Sequence, residues 1–349
     1  MSARRLFALA AAAMISASGA SAADALAPYR AEQKISGVLR NWGNPHMAAL
    51  MKNWEAGFRR HHPEIYCSDN LKSPATAPMG LTEWVADLAL MGRQIYTYEY
   101  YGVYRRSLLL PVEIAVATGS FDVAGKSAAL GVFVHRDNPL ARLTLPQLDG
   151  IFGAQRDGGW DGMNWRKESA RPAADNLRTW DRLGLGGEWA GKPIHPYGPP
   201  GIYPGGISFF QRRVLGGGDT WAEGLMEFED RRQMIEALAR DPLGIAYAPM
   251  TYASPQVKAL ALAENPGGPF IAPTKASVAD RSYPLTRTVY IYFAPETPGG
   301  EPADPKVDPK VREFLRYILS RDGQQDVAGE GGYLPLTADM VRAQLKKLQ

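Results

Sequence analysis

Residues 132–152 read VFVHRDNPLARLTLPQLDGIF, and this stretch decides the fold. Its opening belongs to an apolar run, Leu130 to Val134, short enough for a strand buried on both faces. Ten residues on, Thr144-Leu145-Pro146-Gln147 has the spacing of a capping box. The threonine hydroxyl at the N-cap reaches the backbone three residues later, and the glutamine reaches back. The spacing predicts a short helix running through Ile151 and Phe152. A buried strand followed by a capped helix is a unit of α/β architecture.

The same alternation extends in both directions. Ile35 to Arg40 reads as the first strand, closed by Trp42-Gly43, with Asn44 and Pro45 suited to the N-cap and first position of a helix. Met47, Leu50, Met51, Trp54 and Phe58 recur at helical spacing, and His62-Pro63 ends the pattern. Val112 to Thr118 is another apolar run. On the C-terminal side, residues 153–204 are rich in glycine, tryptophan and proline, with a helix expected at Asn176 to Leu183. Helices are expected at Ile207 to Leu215 and Arg231 to Arg240, and strands at Leu243 to Ala248 and Thr288 to Phe293. Pro295 to Pro309 holds five prolines and reads as an exposed loop. Asp308-Pro309 then caps a last helix whose apolar face is Val311, Phe314, Leu315, Ile318 and Leu319.

The N-terminus carries the features of a cleavable export signal, residues 1–22. Arg4 and Arg5 precede an apolar segment from Leu6 to Ile15, and Ala20-Ser21-Ala22 supplies small residues for cleavage before Ala23. The segment is short of the ~20 apolar residues that span a bilayer, and no cysteine near the cleavage site would take a lipid anchor. The expected destination is the periplasm. Roughly 327 residues remain, enough for two domains. Loss of Arg4 and Arg5 lowers the formal net charge of +3 by two. With no basic run or basic-aromatic stripe, nucleic acid is not an expected partner. Cys67 is the one cysteine, so stability rests on buried cores and not on an internal disulfide.

Four segments, in order, resemble the phosphate-binding-protein-like family of type II periplasmic binding proteins. Residues 132–152 resemble its strand, Asn-Pro-Leu turn and threonine-capped helix. DPLGIAYAP, residues 241–249, is similar to its strand after an acidic-proline pair. YPLTRTVYIYF, residues 283–293, is similar to its returning crossing strand. VREFLRYILSRDGQQDVAGEGGYLPL, residues 311–336, resembles its C-terminal helix and closing Gly-Tyr-x-Pro-Leu. The resemblance implies a two-domain α/β fold, with mixed sheets flanked by helices and a ligand cleft between the domains. Residues 30–130 plus 285–349 would form a discontinuous domain I and residues 131–284 an inserted domain II, with crossings near 120–132 and 282–290. It also implies a monomeric solute-binding protein that takes phosphate or a related small anion and delivers it to an ABC permease in the inner membrane. A periplasmic adaptor that senses a ligand or partner is the alternative, and a hydrolase on the same architecture ranks below both.

Such an anion would sit at helix N-termini, where unpaired N–H groups and the helix dipole favour negative charge. Three loops correspond: Gly43, Asn44 and His46 after the first strand; Ser73 and Thr76 with the downstream Arg93; and Gly206 with Ser208. All eight residues are candidate ligand contacts. Asn44 also reads as a helix cap, Ser73 and Thr76 as makers of local turns, and Arg93 as the partner of Asp87 or another acid. The loops depart from the family's pattern. Asn44 and His46 stand for two hydroxyl residues, Pro45 lacks an N–H, and Gly205 and Ile207 replace serine and threonine. Gly201 holds the approximate place of an arginine.

The catalytic and metal-binding motifs are absent. Gly206-Ile207-Ser208-Phe209-Phe210 lacks the final glycine of a nucleophile elbow. No P-loop, H-E-x-x-H or dinucleotide fingerprint occurs, and His61 and His62 are adjacent without ligand-spaced partners. No cofactor, no metal and no catalysis are expected. His135 and His195 have no partner that the sequence identifies.

Overall fold

The computed structural model describes residues 25–199, 205–296 and 305–349. The expected signal segment, 1–22, and Gly201 lie outside them.

Two sheets organise the chain. The first is built from β1 (Gly37–Gly43), β2 (Ile65–Asn70), β3 (Leu88–Met91) and β4 (Val112–Thr118). The chain then leaves for the second sheet, made of β5 (Leu130–His135), β9 (His195–Gly198), β10 (Met226–Glu227), β11 (Gly244–Pro249) and β12 (Val257–Ala259). Two small ribbons accompany it: β6 (Arg142–Thr144) with β13 (Ala261–Ala263), and the hairpin β7 (Gly159–Asp161) with β8 (Asn164–Arg166). Finally β14 (Thr288–Phe293) returns to the first sheet, whose order is β2-β1-β3-β14-β4. The second sheet runs β10-β9-β11-β5-β12. Both are mixed: β1 pairs parallel with β2 and β3, whereas β14 is antiparallel to β3 and β4.

The helices cover these sheets. In the first lobe they are α1 (Ala48–Arg59), α2 (Thr76–Thr82) and α3 (Thr97–Ser107). The second lobe has α4 (Leu145–Phe152), α5 (Gly206–Arg213), α6 (Arg231–Leu238) and α7 (Lys275–Ala279). The C-terminal tail adds α8 (Pro309–Ile318), α9 (Arg321–Glu330) and α10 (Ala338–Leu345). Packing explains this return. Trp54 and Phe58 of α1 are buried in one core with Phe314, Leu315 and Ile318 of α8 and with the strand residues Leu88, Val116 and Ile291. A second core contains Val132, Phe133, Phe152, Phe210, Ile245 and Tyr247. Core residues 26–117 and 289–348 therefore pack together, and residues 129–285 pack separately.

Two crossings join the lobes side by side. Gly119 N donates to Arg287 O at 3.0 Å, and Leu130 N donates to Leu285 O at 3.1 Å. Between them residues 120–128 make a small excursion, pinned by Ser120 N to Lys126 O at 2.9 Å and by Ala129 N to Ser120 O at 3.0 Å.

The local expectations meet the structure unevenly. The Thr144–Gln147 capping box forms, and Asp308 Oδ1 accepts from Lys310 N at 2.6 Å ahead of the buried face of α8. The helix expected at Asn176 to Leu183 does not form. Its backbone bonds sideways, with Leu177 N to Gly150 O and Trp180 N to Lys192 O, leaving a 3-10 turn at Trp180–Leu183. Gly184, at φ +85°, ends that turn.

A half-buried cluster, Glu55 and Cys67 beside the exposed Asp69, gives the first lobe a pH-dependent term. Burial, followed by the neighbouring Asp69 carboxylate, pushes Glu55 up to about 7, and burial pushes the Cys67 thiol up to about 12. Cys67 is thus a protonated, weak nucleophile. Between about pH 4.5 and 7 the folded chain keeps a proton on Glu55 that the unfolded chain has lost. Stability contributed here falls as pH rises through that window. Glu55→Gln should remove the slope and leave the protein ~1–2 kcal/mol more stable at pH 8. Urea unfolding of both proteins at pH 5 and pH 8 measures this; equal pH slopes would refute it.

Candidate functional site

Between the lobes, a cleft of about 280 Å³ opens at the crossings. That is near the small end of ligand pockets, typically ~300–1,000 Å³. Its walls come from four places: the turn after β1 (Asn44, His46), the segment after β3 (Gly92, Arg93), the 120–128 excursion (Gly125, Ser127) and the start of α5 (Gly205, Gly206). Thr251, Tyr252 and Arg287 complete them.

The β1 turn is a structural device. Gly43 has φ +144°, and a Cβ there would lie 2.2 Å from Leu90 O, so the glycine permits the close approach of β1 to β3. Asn44 N donates to Leu90 O at 3.0 Å, and Asn44 Oδ1 accepts from His46 N at 3.1 Å. Met47 N bonds Asn44 O, and the N–H of Ala48 bonds Pro45 O. With Pro45 lacking an N–H, this helix start has no free backbone donor for a guest. What remains in the cleft is the Asn44 amide nitrogen and the His46 ring.

Arg93 is committed to an acid, though not to Asp87. Asp87 holds Arg40 at 2.6 Å. Arg93 makes a two-pronged contact with Glu99, both bonds 2.7 Å, and its guanidinium lies 4.1 Å over the Tyr96 ring. Burial works against the Arg93 charge, but the Glu99 bond and field outweigh it, so the group stays charged. Its buried Nε has no partner.

Arg287 was not singled out from the sequence, yet it is the cation most open to a guest. It rises from the returning crossing, its Nη2 donates to Gly92 O at 2.9 Å, and no carboxylate among the described residues pairs with it. Burial lowers it to about 10, still charged at neutral pH. Gly92 O also accepts from Ser127 Oγ at 3.0 Å. A side chain at Gly92 would collide with both Asn44 and Ser127, at 2.7 and 2.9 Å. A clue was visible: Arg287 is the single charged residue in the apolar run 283–293.

The structure therefore gathers Asn44, His46, Arg93 and Gly206 around one cleft and leaves four expected residues off its walls. Gly43 is occupied with strand packing. Ser73 Oγ accepts from Ala75 N at 3.2 Å and Thr76 Oγ1 donates to Ser73 O at 2.7 Å, so both make local turn bonds; Pro74 lies at the wall instead. Ser208 is buried, its hydroxyl donating to Gly205 O at 3.0 Å. Gly205 makes no side-chain cap bond at the start of α5, and Gly205 and Gly206 lie on the cleft wall.

Elsewhere, His195 does have a partner: its Nδ1 lies 2.7 Å from Asp241, which also accepts from Tyr197. Among the described residues no group of three or more His, Cys, Asp or Glu is arranged to hold a metal, and no helix is long and apolar enough to cross a membrane.

A family model described as a PBP superfamily domain matches residues 127–322. The phosphate-binding protein PstS of Pseudomonas aeruginosa is 30% identical over 326 residues, covering 93% of this chain and 91% of that protein. The protein SphX of Synechococcus elongatus is 28% identical, covering 63% and 57%. Among solved structures, PstS from Borrelia burgdorferi superposes with a TM-score of 0.54 at 14% identity, covering 87% of this chain and 99% of that one. An ABC-type phosphate transport receptor from Vibrio cholerae gives 0.52 at 16% identity, covering 85% and 100%. At these identities the structures bear on the fold alone, and they share its two-lobed α/β form.

Proposed function

Because this chain belongs to the PBP superfamily, in the company of phosphate-binding proteins, we propose that it is a solute-binding protein that holds phosphate between its two lobes and presents it to an ABC importer. The observation that carries this reading is Arg287: a charged guanidinium on the cleft wall without a carboxylate partner among the described residues. A cation placed beside a buried surface is costly unless something pairs with it. A small anion completes the pairing, with the first-turn N–H groups of α5 and the Asn44 amide as further donors.

No bond need be made or broken. Donors sit on both lobes, Asn44 on one and the α5 start on the other, so an anion bridging them favours the closed arrangement. Closure is a shift between two populations, limited by how much better the anion binds the closed one. With the N-terminal export signal, the place of work is the periplasm and the partner an inner-membrane permease.

Thermal unfolding of the mature protein with increasing phosphate tests the reading. At 100 times its Kd the ligand should add ~2.7 kcal/mol of stability. No shift with phosphate or any other small oxyanion at millimolar concentration would overturn it.

A further inference from the structure

We infer that the β7–β8 hairpin is a strap between the lobes: together with Arg212 it holds them outside the crossings and so sets how readily the cleft opens. This rests on the two-lobe binding reading above and gives a positioning role to residues that do not line the anion's cleft.

The strap is made locally and anchored at both ends. Asp161-Gly162-Met163-Asn164 turns through two residues, and Gly162, at φ +59°, supplies the backbone that so tight a hairpin turn requires. Trp160 and Trp165 pair across the strands, their rings edge-on at 5.2 Å. The base of the hairpin is tied to the segment after α5. Trp160 N donates to Gly217 O at 3.2 Å, and a Cβ at Gly159 would lie 1.9 Å from Gly216 O, so the two backbones approach closely. The tip reaches the other lobe, where Thr97 Oγ1, at the start of α3, donates to Gly162 O at 2.7 Å.

α5 makes a second bond of the same kind. Its start lies on the cleft wall, and towards its end Arg212 Nη2 donates to Ile95 O of the first lobe. Between these points the lobes are packed. Gly92, Arg93 and Gln94 face Ser208, Phe209 and Arg212 around a space of about 10 Å³, room for one water at most. Residues 92–97 and 205–217 thus meet at the cleft and are bonded twice beyond it. Both bonds are made by the chain itself, and parting the lobes here breaks both. Each contributes a factor of ~2–10 to the ratio of closed to open protein. An anion that takes donors from both lobes binds the closed form, so its affinity scales with that population.

Thr97→Val keeps the shape of the side chain and removes its donor, and Arg212→Met removes the second bond. X-ray scattering of the mature protein, without and with inorganic phosphate, tests the strap alongside calorimetric titration. Without phosphate the double variant should have a larger radius of gyration than the parent, and Thr97→Val alone, which leaves every core residue in place, should lie between them. Phosphate should draw both variants back to the parent's radius. Its affinity for the double variant should fall about fivefold or more. Lost stability alone does not move the radius of a protein that is still folded. The parent's radius in the phosphate-free double variant, or an unchanged phosphate affinity, would overturn the inference. If phosphate binds neither parent nor variants, the binding reading fails, and the phosphate-free radii still decide the strap.

Discussion

Arg287→Met should weaken phosphate binding by at least 100-fold, with the ligand-free protein as stable as the parent. Charge-assisted hydrogen bonds contribute ~1.5–3 kcal/mol each, and two of them, or one plus its field, exceed the 2.7 kcal/mol that a 100-fold loss represents. Stability is spared for a separate reason. Gly92 O, which Arg287 contacts, still accepts from Ser127 Oγ, so no carbonyl is stranded. Removing a cation that burial disfavours relieves the empty protein of that cost. Arg287→Lys keeps the charge but loses the planar fork, and should fall between the two. Calorimetry gives the affinities and urea unfolding the stabilities. A dissociation constant within threefold of the parent for Arg287→Met would remove Arg287 from the site.

Glu99→Ala should destabilise the fold by ~3–5 kcal/mol, the largest stability effect expected of a single exchange near the cleft. The pair it breaks is almost fully buried, with side-chain exposures of 3% for Arg93 and 7% for Glu99. An alanine leaves the guanidinium charged and unpaired. It also frees Tyr96 N at the start of α3, which Glu99 accepts at 2.6 Å. Exchanging both partners, Arg93→Met with Glu99→Leu, removes the charges together and should recover part of the loss. The double-mutant cycle in urea separates the terms. If the single and double variants are equally unstable, the ion pair is not the source.

The sequence was most legible where a local rule and a core position agreed. Asp308-Pro309 ahead of Val311, Phe314, Leu315, Ile318 and Leu319 specified a capped helix and its buried face, and both are present. Thr288 to Phe293 reads as a strand on apolar content alone, and its bounds match β14. Reading failed where nonlocal bonds decided. Asn176 to Leu183 has helix-compatible residues, but its backbone finds partners at Gly150 and Lys192, far along the chain.

In the cleft the same division holds. Asn44 as a helix cap could be read from its neighbours, because a cap is made within three residues. Whether Ser73, Thr76 and Ser208 faced a ligand or their own turns could not, since both roles use the same hydroxyls. Arg287 shows the other side of this limit. Its segment reads as a strand, while its place on the cleft wall depends on Gly92, 195 positions away in sequence.

By itself, then, the sequence determined an α/β chain of two lobes, through periodicity, caps and the order of its segments. Only the tertiary structure decided which donors meet. The β1 turn consumes its own N–H groups, Arg93 is held by Glu99, and the crossing places Arg287 against the uncapped start of α5. Local rules act over a few residues, whereas an anion site is a sum of charges and dipoles brought within a few ångströms by distant parts of the chain.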